Sequence, residues 1–144
     1  MAFDGIVTKS IVTELEKFLI NGKINKIFQP NKNEILLGIY NLGKNYALNC
    51  CISSDNYRIN LTTNSKPNPI NAPGFCMLLR KRLCGATLAD IKQIKNDRIL
   101  LFEFDGTTEI GDKTKYYVIC EIMGQRSNII LCYNDYRIID AIKW

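Results

Sequence analysis

Two polar turns carry the side chains best suited to bind a ligand. The first turn ends in Asp97-Arg98, and the second contains Arg126, Ser127 and Asn128. Arginine offers five donors in a planar fork that fits a phosphate or a base edge. Asp97 is placed to orient that fork or to accept from an amino group. From residue types alone, the alternative for Asp97-Arg98 is a turn closed by a local ion pair.

The remaining candidate ligand contacts each have a simple structural explanation. Arg126 is as well explained by a solvated turn charge, and Ser127 and Asn128 more often stabilise a turn than touch a ligand. Arg80 and Lys81 fall near the end of a predicted helix, where the macrodipole favours basic residues without any ligand. Both explanations stay open at this point.

Missing residue types exclude several kinds of chemistry. The chain has no histidine, which removes Ser-His and Cys-His nucleophiles and the commonest general base. Its six cysteines contain no CxxC pair of the kind that a zinc site needs. We therefore predict no catalytic site, no metal site and no cofactor. Because the cysteines lie in apolar stretches, we predict free buried thiols in a reducing compartment, with an exported disulfide-bonded protein as the alternative. They are Cys50, Cys51, Cys76, Cys84, Cys120 and Cys132.

Length and charge limit the number of domains, the kinds of partner and the location of the protein. A chain of 144 residues with 47% hydrophobic content predicts one domain over residues 1–144. The net charge of +5 permits a polyanionic partner, although a solvated basic surface explains it equally well. No apolar run approaches the roughly 20 residues that span a bilayer, and Met1–Gly5 lacks the basic start of a signal peptide. We therefore predict a cytoplasmic protein without a membrane partner. Because the chain stops at Ile142-Lys143-Trp144 with no polar tail, we expect a fragment of a longer protein.

Two helices and nine strands are predicted to position the turns. The first helix, Thr8–Ile20, has an apolar stripe of Ile11, Leu15, Phe18 and Leu19, and the second begins at Pro73 and ends at Gly85. A loop from Asn64 to Ala72 precedes the second helix. Period-two alternation predicts the strands. They are Lys23–Gln29, Glu34–Tyr40, Asn45–Ile52, Tyr57–Thr62, Thr87–Ile94, Ile99–Asp105, Lys115–Met123, Ser127–Tyr133 and Tyr136–Ile142.

The grouping of these elements indicates the fold class. Strands that cluster between isolated helices are typical of α+β proteins, and strands with one wet face are typical of antiparallel sheets. We predict an antiparallel β-sandwich or barrel flanked by two helices.

Five stretches, in the same order, resemble the N-terminal domain of the NFACT family. These proteins are ribosome quality-control factors, and bacterial members are also named fibronectin-binding protein A. Five matching stretches in order are more specific than any one of them. They are Phe3-Asp4-Gly5, Pro73–Lys81, Asp97-Arg98, Glu109–Asp112, and Glu121–Gly124 with Ser127–Leu131.

The resemblance implies a fold and a function. The family's domain is similar to the N-terminal domain of the formamidopyrimidine-DNA glycosylases, a β-sandwich flanked by two helices. Family members bind the large ribosomal subunit carrying a stalled peptidyl-tRNA and recruit tRNA, chiefly alanyl-tRNA in bacteria, for untemplated C-terminal tailing. Asp97 and Arg98 match the pair that the family ties to tRNA recruitment. In this light Arg126, Ser127, Asn128, Arg80 and Lys81 become candidate RNA contacts.

Two departures from these patterns shape the expectations. The family usually has a basic residue directly after the glycine of its second turn, whereas this chain has Gln125 followed by Arg126. The glycosylases use an N-terminal proline, whereas this chain has Ala2, so no secondary-amine nucleophile is available. We therefore predict a non-enzymatic tRNA- and ribosome-binding module. A cell-surface adhesin that binds fibronectin is the main alternative.

Overall fold

The computed structural model describes residues 5–53, 57–62, 73–95 and 97–143. Several positions used above lie outside these residues: the predicted loop from Asn64 to Ala72, Met1 to Asp4, Asn96 and Trp144. The described residues form two α-helices, nine strands and one 3₁₀ helix. No helix among them combines the length and apolarity that a membrane crossing requires.

The order of the elements is the predicted one: a helix, four strands, a helix and five strands. Their bounds differ from the predicted ones by a few residues at most. They are α1 (Gly5–Leu19), β1 (Lys23–Asn31), β2 (Glu34–Asn41), β3 (Lys44–Cys51), β4 (Arg58–Thr62), α2 (Gly74–Leu83), β5 (Thr87–Gln93), β6 (Ile99–Thr107), β7 (Lys113–Glu121), the 3₁₀ helix Gly124–Arg126, β8 (Asn128–Cys132) and β9 (Ile138–Ala141).

The strands form one open antiparallel sheet in the order β4-β3-β2-β1-β5-β6-β7-β8-β9. The α+β class, the two helices and the antiparallel pairing are confirmed, but the predicted sandwich or barrel is instead one continuous open sheet. The sheet continues from β1 to β5 because the turn after α2 runs beside β1. There Ile24 donates to the Ala86 carbonyl at 2.9 Å, and Gly85 donates to the Ile24 carbonyl at 2.8 Å.

The two halves of this sheet nevertheless face each other across the core. Cys50 of β3 and Cys120 of β7 are buried, and their Sγ atoms lie 4.0 Å apart. The core face predicted for β6 is confirmed, since Leu100, Phe102 and Phe104 are all buried in this core. Leu101, on the opposite face, is buried in a second, smaller cluster. Burying one such side chain contributes about 1.5–3 kcal/mol, so the strand that follows Arg98 is firmly held.

The start and the apolar stripe of α1 differ from the prediction. The helix begins at Gly5, three residues before Thr8, and Thr8 is buried inside it rather than capping it. Leu15 and Leu19 are buried as predicted, but Phe18 is 40% exposed and lies against the ring of Tyr46. The stop is as predicted, since Asn21 adopts a left-handed φ of 71°.

All six cysteines are free thiols, and five of them are buried as predicted. The exception is Cys84, which is exposed where α2 ends. Its apolar neighbours in sequence did not predict this, because the helix ends at Leu83 and turns the next residue outward. Partial burial still raises the pKa of the Cys84 thiol, although Arg80 opposes the shift.

This arrangement predicts the pattern of thiol modification. Without denaturant, iodoacetamide should label Cys84 alone, slowly at pH 7 and faster towards pH 9, because the raised pKa keeps the thiolate fraction low at neutral pH. In denaturant all six should react. Peptide mapping by mass spectrometry gives the count, and Cys84→Ser should abolish native labelling. Native labelling of Cys50 or Cys120, or fewer than six reactive thiols in denaturant, would contradict the prediction.

Candidate nucleic-acid interface

The turn between β5 and β6 is closed by backbone hydrogen bonds. Ile94 donates to the Ile99 carbonyl at 3.0 Å, and Asp97 donates to the Ile94 carbonyl at 2.9 Å. The Gln93 side chain adds a third bond, from Nε2 to the Asp97 carbonyl at 2.9 Å. Asp97, the residue that precedes Arg98, is therefore held through both its N–H and its carbonyl.

Asp97 and Arg98 do not form the ion pair that the sequence allowed. The Asp97 carboxylate accepts from the backbone N–H of Arg98 at 2.7 Å, and the Arg98 carbonyl accepts from the N–H of Ile122 at 2.9 Å. Among the described residues, the Arg98 guanidinium has neither a hydrogen bond nor an ion pair. Asp97 thus fixes the backbone of Arg98 rather than its fork, and the guanidinium remains available to a ligand.

The sheet brings the two polar turns together. Ile99, at the start of β6, pairs with Glu121 at the end of β7, and Glu121 pairs in turn with Asn128 at the start of β8. Arg98 and the residues from Gly124 to Asn128 therefore lie at the same end of the sheet. The sequence placed these turns 28 positions apart and gave no register that would join them.

Ser127 stabilises the second turn. It is completely buried, its Oγ accepts from the N–H of Met123 at 2.8 Å, and its own N–H donates to the Gly124 carbonyl at 3.1 Å. Gly124 adopts a φ of 66°, which glycine reaches without steric cost. Arg126, in contrast, is exposed and has no polar side-chain partner in the described part of the chain.

Asn128 connects this turn to the end of the described chain. Its Nδ2 donates to the Lys143 carbonyl at 2.8 Å, and its Oδ1 accepts from the Lys143 N–H at 3.2 Å. The Lys143 ammonium in turn donates to the Gln125 carbonyl at 2.8 Å. Sequence reasoning missed Lys143, because only the pairing of β8 with β9 brings it here.

Arg98, Arg126 and Lys143 together form a cationic edge that we call the basic rim. The nearest acidic residues in sequence and pairing are Asp97 and Glu121, so the local excess of positive charge is small. The backbones of Arg98 and Lys143 are both hydrogen-bonded to residues of neighbouring elements. The rim can therefore present donors to a phosphate or a base edge from a prepared position.

Arg80 and Lys81 lie at the other end of the sheet. Lys81 contacts Glu109 at 2.9 Å, and Glu109 belongs to the loop between β6 and β7. Since β6 has nine residues at about 3.4 Å each, this loop lies roughly 30 Å from Arg98. Arg80 is occupied within the fold: its Nε donates to the Ile27 carbonyl at 2.8 Å, and its guanidinium lies 5.7 Å from the Phe28 ring.

Arg82 is a third cation at this end of the sheet, beside Arg80 and Lys81. Sequence reasoning did not single out Arg82. Its side chain is only 14% exposed, lies 3.3 Å from Glu109 and packs 5.7 Å from the ring of Tyr133. The hydrogen bond from Lys81 holds the pKa of Glu109 below its usual value, and Arg82 adds to the shift. The helix macrodipole explained the whole Arg80–Arg82 triplet, so nothing in the sequence distinguished its members.

Comparison with known proteins identifies the family. The family model for the NFACT N-terminal and middle domains matches residues 4–144. This chain belongs to the NFACT family. It is 39% identical over 144 residues to the Rqc2 homologue RqcH of Bacillus subtilis. The matched region is 99% of this chain and 25% of that protein. It is 33% identical over 137 residues to an archaeal Rqc2 homologue of Methanocaldococcus jannaschii, covering 92% of this chain and 19% of that protein. The NFACT chain therefore spans a quarter or less of these relatives.

Solved structures show the same fold. The N-terminal domain of the fibronectin-binding protein PavA from Streptococcus pneumoniae superposes with a TM-score of 0.95 at 38% identity, covering 99% of this chain and 54% of that one. The N-terminal part of the fibronectin/fibrinogen-binding protein from Streptococcus suis gives a TM-score of 0.95 at 40% identity, with 99% and 54% coverage. The NFACT chain is therefore similar both to proteins named for ribosome quality control and to proteins named for matrix binding.

Proposed function

We propose that this NFACT chain is the tRNA- and large-ribosomal-subunit-binding module of a cytoplasmic ribosome quality-control factor. In this role it supports the C-terminal alanine tailing of stalled nascent chains. Arg98 supplies the tRNA contact and Asp97 positions it. The supporting observation is the Arg98 guanidinium, which has no partner among the described residues although its backbone N–H and carbonyl are both bonded.

This geometry suits RNA better than an internal role. An arginine that stabilises a fold is normally paired, because each unused donor that loses water costs free energy. Arg98 is half-buried, and an RNA phosphate or base edge would satisfy its fork. The Asp97 carboxylate lies beside it and can accept from an amino group of a base or of an aminoacyl end.

The partners are those of the Rqc2-type relatives: tRNA, with alanyl-tRNA expected, and the large subunit carrying peptidyl-tRNA. No catalytic step belongs to the proposal, since the chain lacks histidine and has Ala2 in place of an N-terminal proline. The likeness to a glycosylase N-terminal domain stays a prediction. The deciding experiment is to sequence the RNA that co-purifies with the full-length protein. Enrichment of alanine tRNA supports the proposal, and recovery of no tRNA contradicts it.

The basic rim predicts a moderate salt dependence of tRNA binding. If its cations neutralise two or three phosphates, the slope of log K against log salt should be about −1.4 to −2.7, at roughly −0.7 to −0.9 per phosphate. Affinity should then fall about 7- to 40-fold between 50 and 200 mM salt. Fluorescence anisotropy with labelled tRNA measures the slope. Affinity that is independent of salt would exclude phosphate contacts.

Fibronectin binding is the second candidate, because solved relatives carry that name. The free thiols of the described chain favour a reducing compartment instead. A direct comparison separates the two functions. If purified protein binds fibronectin with the same affinity before and after Arg98→Ala, while tRNA binding falls, fibronectin uses another surface.

A further inference from the structure

An open cleft of about 740 Å³ lies at the end of the sheet opposite the basic rim. We call it the α2 cleft, because the end of α2 forms one wall and the strands β6 and β7 form the other. We propose that the α2 cleft is a second RNA-binding site that takes phosphate groups of an RNA backbone. This goes beyond the proposed function, which uses only the basic rim. The residues that carry the argument are Lys81, Arg82, Asp105, Lys113 and Lys115.

Cations outnumber acids around the cleft. Two come from the end of α2 and two from the start of β7, whereas Asp105 is the acid among the lining residues. The α2 cations also gain from their position, since the C-terminal end of a helix favours positive charge. The cleft is open to solvent along its length, which suits an extended backbone better than a buried small molecule.

Glu109 lies in the loop beside the cleft and indicates what its two α2 cations bind. Its carboxylate contacts both Lys81, at 2.9 Å, and Arg82, at 3.3 Å. One anion thus bridges two cations from successive positions of α2. The side chain of Glu109 is 59% exposed, so a phosphate oxygen that arrives from solvent can take its place.

The two β7 cations differ in how freely they can bind an anion. Lys115 donates to Asp105 at 2.8 Å and to Glu103 at 3.2 Å, and these bonds raise its pKa. Lys113 is exposed and makes no ion pair within the part of the chain that the structure describes. Lys113 can therefore meet a phosphate directly, and Lys81 can do so once a phosphate takes the place of Glu109. Lys115 is neutralised by two carboxylates of its own sheet.

Arg82 gives the cleft a fixed cation. Its side chain is largely buried between Glu109 and the ring of Tyr133, and its Nε has no hydrogen-bond partner among the described atoms. A guanidinium held in this way loses little side-chain entropy when an anion arrives, because its position is already set. We expect Arg82 to orient the first phosphate through the guanidinium nitrogen that lies 3.3 Å from Glu109.

The experiment compares charge changes in the full-length protein, with labelled tRNA as the probe. Lys81→Ala with Lys113→Ala should weaken binding and make the salt slope shallower by about 1 for each lysine. The control is Lys44→Ala with Lys17→Ala, which removes the same charge from exposed positions outside the cleft. Equal effects of the two pairs would show only general attraction and would overturn the proposal.

A variant that is expected to bind tRNA more tightly tests the proposal in a way that misfolding cannot imitate. Glu109→Gln removes the anion that competes with phosphate, so it should tighten tRNA binding more than Glu16→Gln, a matched change on α1. An unfolded variant cannot produce tighter binding. If Glu109→Gln and Glu16→Gln behave alike, the carboxylate does not occupy an RNA phosphate position and the proposal fails.

Two further arms separate this inference from the proposed function. Because the sites lie roughly 30 Å apart, the effects of Arg98→Ala and of the Lys81/Lys113 pair should be additive. If Arg98→Ala loses tRNA binding and the Lys81/Lys113 pair does not, RNA binding by the α2 cleft is excluded and the proposed function stands. If only the Lys81/Lys113 pair loses tRNA binding, the Arg98 contact of the proposed function is excluded and the α2 cleft stands.

Discussion

Arg98→Ala should weaken tRNA binding by the full-length protein about 10- to 150-fold. This range corresponds to the loss of one charge-assisted hydrogen bond, about 1.5–3 kcal/mol. The fold should survive, because Arg98 is bonded to its neighbours through its backbone, and alanine keeps those bonds. Substitutions that leave such features intact usually change stability by about ±0.5 kcal/mol. Anisotropy with labelled tRNA and a thermal melt measure the two effects.

Companion variants identify the contribution of the fork. Arg98→Lys should restore binding only in part, since an ammonium cannot reproduce the planar guanidinium. Arg126→Ala removes the same charge from the same rim and should cost less. Normal tRNA binding by Arg98→Ala, or loss of binding only through unfolding, would make Asp97-Arg98 a structural turn and end the proposal.

The structure changes what is expected of Asp97. If its carboxylate oriented the Arg98 fork, Asp97→Asn and Asp97→Ala would both disturb that orientation. Because the observed bond is to the backbone N–H of Arg98, Asp97→Asn keeps an acceptor oxygen and should be milder than Asp97→Ala. The Asp97→Ala, Arg98→Ala double variant should still be less than additive, since both changes affect one contact.

Local patterns in the sequence predicted the elements well. Alternation identified β2 and β6 and the face that each turns to the main core, because a strand turns each successive side chain to the opposite face. It did not predict that Leu36 and Leu101, on the opposite faces, are buried as well. Asn21 and Gly85 ended their helices as predicted, and both adopt positive φ. These features depend on a few adjacent residues, which is why the sequence contains them.

Features that depend on pairing between distant residues could not be predicted. Alternation shows which face of a strand is buried but not which strand lies beside it. The pairing of β1 with β5, which joins the strands into one sheet, was therefore missed. Lys143 reaches Gln125 only because β9 pairs with β8. Both Arg98 and Ser127 were candidates from residue type, but only the structure separates the available guanidinium from the buried hydroxyl.

The sheet also explains why the candidate residues form two groups. Its strands run between the basic rim and the α2 cleft, and the core residues of β6 make that connection rigid. Arg98 directly precedes β6, and the loop that carries Glu109 follows the end of that strand. A rigid spacer of this kind would hold two RNA contacts at a fixed separation, which is a reason to test the two ends independently.

Ser127→Ala should destabilise the protein by about 1–3 kcal/mol, the usual cost of a buried donor left without its partner. The affected donor is the backbone N–H of Met123, which Ser127 Oγ accepts at 2.8 Å in a completely buried position. Once folded, the variant should bind tRNA nearly as well as wild type, because the hydroxyl faces the turn rather than a ligand.

Ser10→Ala is the matched control for this prediction. Ser10 is exposed on α1, and its substitution should change stability by no more than about 0.5 kcal/mol. Thermal melts and tRNA anisotropy, both at a temperature where each variant is folded, separate the two quantities. If Ser127→Ala keeps wild-type stability but loses tRNA affinity, the Ser127 hydroxyl contacts RNA. Ser127 would then join Arg98 at the interface instead of supporting the turn that carries Arg126.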